Sequence, residues 1–388
     1  MTHRPTDVVI VGGGPAGLLA SLRLARAGFR VDLFEEHREI GEPVHCTGVL
    51  AREAFEAFGL PSTSVLNALS TVRFFAPSGE PVEYSTPTIE AVVIDRARFD
   101  QELATEAESC GVRMRRARVT AVDIDRDAVT VATGDSVTRA RACVLACGAS
   151  YALQRKLGFG IPRLMLNSAQ MELPAARLGP VEVHFGSDLA PSGFAWAVPV
   201  ERPDRPSVRI GVMCDGDAGK HFRRVVDAVA PRWGAAVPDG CQPRQKVLPL
   251  APISCTYGDR VLVLGDAAGL VKPTTGGGIY YSLLSAELAA ETLAGALADD
   301  DLGAARLASY QARWRKRLGS ELRWQLILRR IAQRLSDADI DRLFDLARTD
   351  GIMPIVRRTA AFNHHREFIV ALLKHPPARR VLFRAALA

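Results

Sequence analysis

The chain contains no run of the 18 or so apolar residues that a membrane-spanning helix requires, so no such helix is expected. Its seven cysteines, at 46, 110, 143, 147, 214, 241 and 255, are odd in number and include no C-x-x-C pair. Zinc ribbons, thioredoxin-like redox motifs and a disulfide framework are set aside on that count, and reduced thiols in a cytoplasmic protein are expected. Zinc-finger spacings, aromatic strings of the RNA-binding type and basic low-complexity arms are missing as well, so no nucleic-acid partner is expected. No metal site is expected either. His364 and His365 are adjacent, point to different helix faces and have no evident third ligand. Internal repeats and low-complexity linkers are absent. The apolar start "VVIVGGGPAGLLA" is broken by glycines and a proline and lacks a cleavage-like site, which argues against a signal peptide.

What remains is ordinary globular composition. The 388 residues are 48% hydrophobic and 24% charged, enough for two or three domains around real cores. The net charge of +6 is unevenly spread. Residues 301–388 hold 18 Lys and Arg against 8 Asp and Glu, a net of +10, which leaves −4 on the first 300. A basic tail on a slightly acidic body suits an anionic contact, for which lipid headgroups are a better fit than nucleic acid. Localisation is read as cytoplasmic, with attachment to the cytoplasmic membrane face left open.

Two glycine runs carry the chemistry. In the first, "DVVIV" (7–11) reads as a buried parallel strand and meets Gly12, Gly14 and Gly17, a G-x-G-x-x-G with Pro15 and Ala16 inside it. A helical pattern follows, then "RVDLFEE" as a second strand ending at Glu35 and Glu36. Bare backbone lets a pyrophosphate approach a helix N-terminus. An acid 23 residues after the first glycine can accept from an adenosine ribose. Strand, glycines, helix, strand and acid in that order specify a dinucleotide.

The second run follows another logic. "RVLVLGD" reads as a strand ending at Gly265 and Asp266. After Pro273 and two threonines come Gly276, Gly277 and Gly278, and a helix begins at Ile279. Strand-GD-loop-P-x-x-G-helix resembles the flavin-contacting segment of the para-hydroxybenzoate-hydroxylase-fold flavoproteins. "GDAAGLVKPTTGGGIYYSLLSAELAA" is most similar to the geranylgeranyl reductase family within that group. The resemblance implies FAD as cofactor, with Asp266 on its ribityl or pyrophosphate part and the 276–278 amides at the pyrimidine edge of the flavin. A helix N-terminus there would favour the negative charge of reduced flavin. By the same resemblance Arg96, early in "VIDRARFD", would lie near the adenosine end, a surface arginine being the plain alternative. In "GEPVHCTGVL" the positions Pro43, Cys46 and Gly48 match the family's P-x-x-C-x-G. Cys46 is therefore the candidate catalytic residue, whether by shaping the pocket, donating a proton or tuning the flavin. A small buried hydrophobe is its plain alternative.

"GFAWAVPV" (193–200) resembles the family's aromatic-x-Trp-x-aromatic-Pro signature, with Phe194 for tyrosine and Val198 for phenylalanine. Phe194, Trp196 and Pro199 are the candidate substrate residues, walling an apolar tunnel or forming plain sheet core. Gly211 alone stands for the glycine pair expected further on. Related aromatic hydroxylases carry an aspartate where "ACGAS" (146–150) has Cys147, a departure from that branch. Flavin-dependent halogenases need a lysine in the N-terminal part of the chain, and none occurs before Lys156.

The family likeness implies an α/β fold: a Rossmann-type FAD-binding domain with an inserted antiparallel-sheet substrate domain and a C-terminal helical region. FAD-binding segments are expected over 1–70, 88–160 and 245–300. The substrate domain takes 71–87 and 161–244, and the helical region 301–388. In "ELRWQLILRRIAQRL" (321–335) Trp324, Leu328, Ile331 and Leu335 recur at helical spacing, and Arg323, Arg329, Arg330 and Arg334 lie mostly on other faces. That basic helix is expected to pack its apolar side on the body or to lie on a membrane surface. The implied reaction is saturation of C=C bonds in an isoprenoid: a polyprenyl lipid, prenylquinone or terpenoid. The electron donor, NAD(P)H or a ferredoxin-like carrier, has no second dinucleotide domain here. An aromatic or quinone monooxygenase and a non-catalytic electron-transfer flavoprotein stand as alternatives.

Overall fold

In a computed structural model, residues 6–238, 240–349 and 351–387 are described, so the ends of the first and last expected ranges lie outside it. The strand Thr6–Val11 is buried throughout. It pairs in parallel with Val31–Glu35 on one side and Val137–Leu145 on the other. Arg113–Arg116 and Val261–Val263 extend this parallel sheet at its two flanks. Two helices, Pro15–Arg26 and Ile279–Ala298, pack on each other against it, with Leu18, Leu19, Leu283 and Leu293 in one continuous core. Thr6–Val11 and Val261–Val263 are Val, Ile and Leu runs because both faces there are covered, whereas the flanking Arg113–Arg116 is partly exposed.

A second sheet of seven strands stands beside the first. Its order is Arg244–Pro249, Met165–Pro174, Pro206–Cys214, Phe194–Glu201, Val181–His184, Thr71–Phe75 and Pro81–Ser85. Neighbours are antiparallel except Val181–His184 and Thr71–Phe75, which run parallel. The helix Ala218–Trp233 covers one face with Phe222, Val225 and Trp233. The strand Arg244–Pro249 carries Lys246 and Leu248 from this sheet back toward the first sheet's glycine turns. The hairpin from 71 to 85 joins the sheet through its far edge, distant in sequence from the rest.

The tail forms the long helix Ala304–Ala332 and four shorter ones. Among the described residues no helix is long and apolar enough to cross a membrane. The long helix differs from its expected orientation. Ile331 packs with Ile352, Leu372 and Leu382, and Leu335 joins them, so part of the expected apolar stripe meets the tail's own short helices. The face turned to the body carries Gln325, fully buried, and Arg329, 5% exposed. Arg329 is thus an inward residue. The loop carbonyls it meets require donors, which an apolar stripe lacks.

Candidate active site

A cleft of about 650 Å³ runs between the two sheets, lined at one end by Gly12–Ala16, Glu35 and Arg118 and at the other by Asp266, Gly276, Gly278 and Ile279. Its walls follow from the two glycine runs. Gly12 has φ +112°, and a Cβ there would fall 2.3 Å from the Ala146 carbonyl oxygen. Gly17 presses its helix on the strand so closely that a Cβ would lie 1.9 Å from the Gly12 oxygen. Gly14, by contrast, has nothing within 4 Å of a built Cβ. It caps the helix Pro15–Arg26 without any side-chain bond, leaving the helix N-terminus for an anion.

Glu35 stands at the end of its strand as the spacing predicts. Its Oε2 accepts from the Gly13 amide at 2.6 Å, and its Oε1 accepts from the His37 amide at 2.9 Å and lies 2.5 Å from His37 Nδ1. Oε2 therefore keeps acceptor capacity for a ribose hydroxyl. Glu36 also lines the cleft and pairs with Arg118 at 3.4 Å. Cys147 sits in the same wall, donating to the Val11 carbonyl at 3.5 Å. Burial pushes its thiol up to about 12, with Glu35 and Glu36 adding to the effect.

Arg96 is no surface arginine. Its side chain is 13% exposed, pairs with Asp100 at 2.6 Å and reaches the sulfur of Cys46. Burial works against its charge, but Asp100 and Cys46 outweigh it and hold the guanidinium charged. Cys46 itself lines the cleft, and its sulfur accepts from the Gly48 amide at 3.3 Å. Gly48 lies behind it, where a Cβ would strike Arg209 at 2.4 Å and the Ile94 oxygen at 2.6 Å.

The three glycines at 276–278 are needed for three different reasons. Gly276 has φ +72°. At Gly277 a Cβ would come 2.9 Å from Lys272 Cε, and at Gly278 it would come 2.8 Å from Asp266 Oδ1. The helix Ile279–Ala298 then starts at Gly278 with no side-chain cap, so its N-terminal amides and dipole face the cleft. Asp266 accepts from Lys246 Nζ at 3.3 Å across the site.

Of the predicted cofactor residues, Gly12, Gly14, Pro15, Ala16, Glu35, Glu36, Cys46, Arg96, Asp266, Gly276, Gly278 and Ile279 line this one cleft. Gly17, Gly48, Gly265, Pro273 and Gly277 do not line it, though Gly17 and Gly265 pack against residues that do. Gly265, for example, leaves room for Ser282 and Ala16. Phe194 and Trp196, 5.8 Å apart, pack with Leu166, Met213, Val271 and Leu248, the last of which lines the cleft. Trp196 lies across the bare backbone of its register partner Gly211. Pro199 is away from the cleft, its carbonyl accepting from Asn67. Sequence reasoning missed Lys246, Lys272, Arg329 and His45. His45 was visible in the Cys46 motif. Burial, reinforced by Lys246, Arg244 and His37, pushes its imidazole below the ordinary value. The other three reveal themselves only through partners distant in sequence.

These walls fit FAD: an open pyrophosphate seat at Gly14, an acceptor at the ribose end and a helix N-terminus at the other. The family model described as pyridine nucleotide-disulphide oxidoreductase matches residues 6–167. The digeranylgeranylglycerophospholipid reductase of Methanocaldococcus jannaschii is 30% identical over 87% of this chain and 89% of its own length. Reductase 1 of the same description from Methanopyrus kandleri is 30% identical over 89% of this chain and 98% of its own. A geranylgeranyl bacteriochlorophyll reductase-like structure from Thermoplasma acidophilum superposes with a TM-score of 0.84 at 19% identity, covering 98% of this chain and 99% of that one. The halogenase PltM in complex with FAD superposes at 0.70 with 16% identity, over 98% and 86%. At these identities the structural likenesses speak for the fold alone. With the sequence relatives, the cleft and both glycine runs in agreement, this chain belongs to the geranylgeranyl reductase family of FAD-dependent oxidoreductases.

Proposed function

We propose that the protein saturates isolated C=C bonds of an isoprenoid chain, such as a polyprenyl lipid, prenylquinone or terpenoid. The observation that carries this reading is that Cys46, the start of the glycine helix and Leu248 line one cleft, with Phe194 and Trp196 packed in the same cluster as Leu248. When bound, FAD supplies a hydride from its reduced N5 to one alkene carbon. The chain's own groups do the rest. Gly12–Ala16 and Glu35 hold the adenosine and pyrophosphate, and Asp266 with Lys246 orients the ribityl chain. The uncapped start of Ile279–Ala298 stabilises negative charge at the pyrimidine edge. Cys46 Sγ–H delivers the proton to the second alkene carbon and recovers it from water, so two hydrogens are added per bond. Leu248, backed by Phe194, Trp196 and Met213, excludes water and seats the apolar chain. NAD(P)H or a ferredoxin-like carrier provides the electrons, and the basic tail gives contact with an anionic membrane surface.

The test is anaerobic incubation of dithionite-reduced, FAD-loaded protein with a panel of prenyl lipids. A mass gain of two hydrogens per double bond is expected. Oxygen-dependent product formation with NADPH, and no saturation without oxygen, would instead assign a monooxygenase.

A further inference from the structure

The glycine loop is held from behind by Lys272, which belongs to the same segment but does not line the cleft, together with groups of the tail and of the Cys46 side. Lys272 is 3% exposed. Its Nζ donates to the Phe362 carbonyl at 2.9 Å and to Asn363 Oδ1 at 3.1 Å, and lies 4.2 Å from the centroid of the Phe362 ring. Asn363 passes the connection on: its Nδ2 donates to Glu53 Oε1 at 2.7 Å, and its carbonyl accepts from the Tyr281 hydroxyl at 3.2 Å. Glu53 opens the short helix Glu53–Phe58, just after the strand that follows the Cys46 segment. One buried ammonium therefore joins the loop, the tail and the Cys46 segment.

A buried lysine without a carboxylate against it is costly, and apolar packing alone would be better served by leucine or methionine. Its position supplies a reason. A Cβ on Gly277 would lie 2.9 Å from Lys272 Cε and 3.5 Å from Nζ, so the ammonium stands directly behind the glycine backbone. Gly276 and Gly278 line the cleft, whereas Lys272 and Gly277 do not. We propose that Lys272 is a positioning residue that locks the tail onto the flavin-binding loop and, when charged, favours reduced over oxidised flavin from behind that loop. The inference rests on the reading that the glycine loop faces the redox edge of FAD.

Electrostatics supports it. Burial pushes the Lys272 ammonium down to about 7, with Glu53 opposing. The other titratable group beside it is His365, itself pushed down to about 4 by burial first and Lys272 second. Asn363, Phe362 and Tyr281 complete its surroundings without formal charge. The charge on Lys272 therefore changes across neutral pH.

The experiment measures the reduction potential of FAD bound to the full chain from pH 6 to 9, in the wild type, K272M, K272R and E53Q. It is paired with limited proteolysis of the 360–366 segment. For K272M the ratio of reduced to oxidised flavin affinity is expected to fall on the order of tenfold at pH 6, about 30 mV for a two-electron couple. Cleavage of the tail should quicken. K272R should stay close to wild type, and E53Q, which keeps the bond to Asn363, should move the bend in the potential–pH curve to lower pH. A K272M potential equal to wild type, or an E53Q curve with its bend unmoved, overturns the proposal; E53Q carries the test alone if K272M does not fold. An unshifted potential in a protein that still saturates alkenes removes this inference only. A shifted potential in one that does not removes only the assigned reaction.

Discussion

At the scale of single residues, the two glycines of the first run separate packing from ligand space. Gly17→Ala puts a Cβ 1.9 Å from the Gly12 oxygen and is expected to lower stability by about 3 kcal/mol. Gly14→Ala meets only open cleft and should cost about 1 kcal/mol or less while weakening FAD binding. Urea unfolding and flavin titration of the pair check both. Cys46→Ala should keep FAD and lose alkene reduction by about a hundredfold or more, read from single-turnover kinetics. His365 sets a pH limit. Its Nε2–H donates to the Phe362 carbonyl at 3.0 Å, and Nδ1 lies 2.8 Å from Thr274 Oγ1. Burial holds its folded-state value near 4, against an ordinary 6.5. Between those values the unfolded chain binds more protons, so stability falls as pH drops through the window, by at most about 1.4 kcal/mol per unit. A His365→Gln variant should lose that slope in urea titrations between pH 4 and 6.5. Gly12, Gly14, Gly17 and Glu35 were legible in the sequence because their spacing is local to a strand, turn and helix, whereas Asp266, Arg96 and Gly276–Gly278 came from the family resemblance. Lys246 and Lys272 were not, since their partners Asp266 and Asn363 are remote along the chain.

At the scale of elements, the long helix Ala304–Ala332 shows where periodicity misleads. Apolar spacing at Ile331 and Leu335 is real, but its partners are Ile352, Leu372 and Leu382 in the tail. The face toward the glycine loop is polar because the loop presents carbonyls in place of a sheet. Arg329 donates to Pro273 at 2.8 Å, Ser192 at 2.7 Å and Thr274 at 3.0 Å. Gln325 Oε1 lies 3.1 Å from Thr274 Oγ1. Arg329→Met would leave three carbonyls without that donor, at a cost of about 3 kcal/mol, and should weaken FAD binding with it. Urea unfolding of the apoprotein and flavin titration measure the two effects. Buried polar faces of this kind break the hydrophobic pattern from which a helix orientation is read.

At the scale of the whole molecule, the flavin-type sheet was readable because its strands Thr6–Val11 and Val261–Val263 are apolar runs that lead into glycine turns. The second sheet was readable only as alternating strands. The 71–85 hairpin was expected to join this sheet, but its parallel register on Val181–His184 and the return of Lys246 and Leu248 to the cleft depend on pairings with no local sequence signal. That arrangement puts the Phe194–Trp196 cluster against the glycine loop through Leu248 and Met213, which lie 3.0 and 3.4 Å from a Cβ built on Gly276. Under the proposed function, the apolar chain reaches the redox edge there, on the side of the cleft that Leu248 lines. The most direct measurement of this account is the anaerobic reoxidation of bound, fully reduced FAD by a polyprenyl lipid, followed by flavin absorbance together with product mass. The account predicts one flavin reoxidised for each double bond saturated, with a gain of two hydrogens. Flavin that stays reduced until oxygen is admitted, with oxygen then appearing in the product, would contradict it.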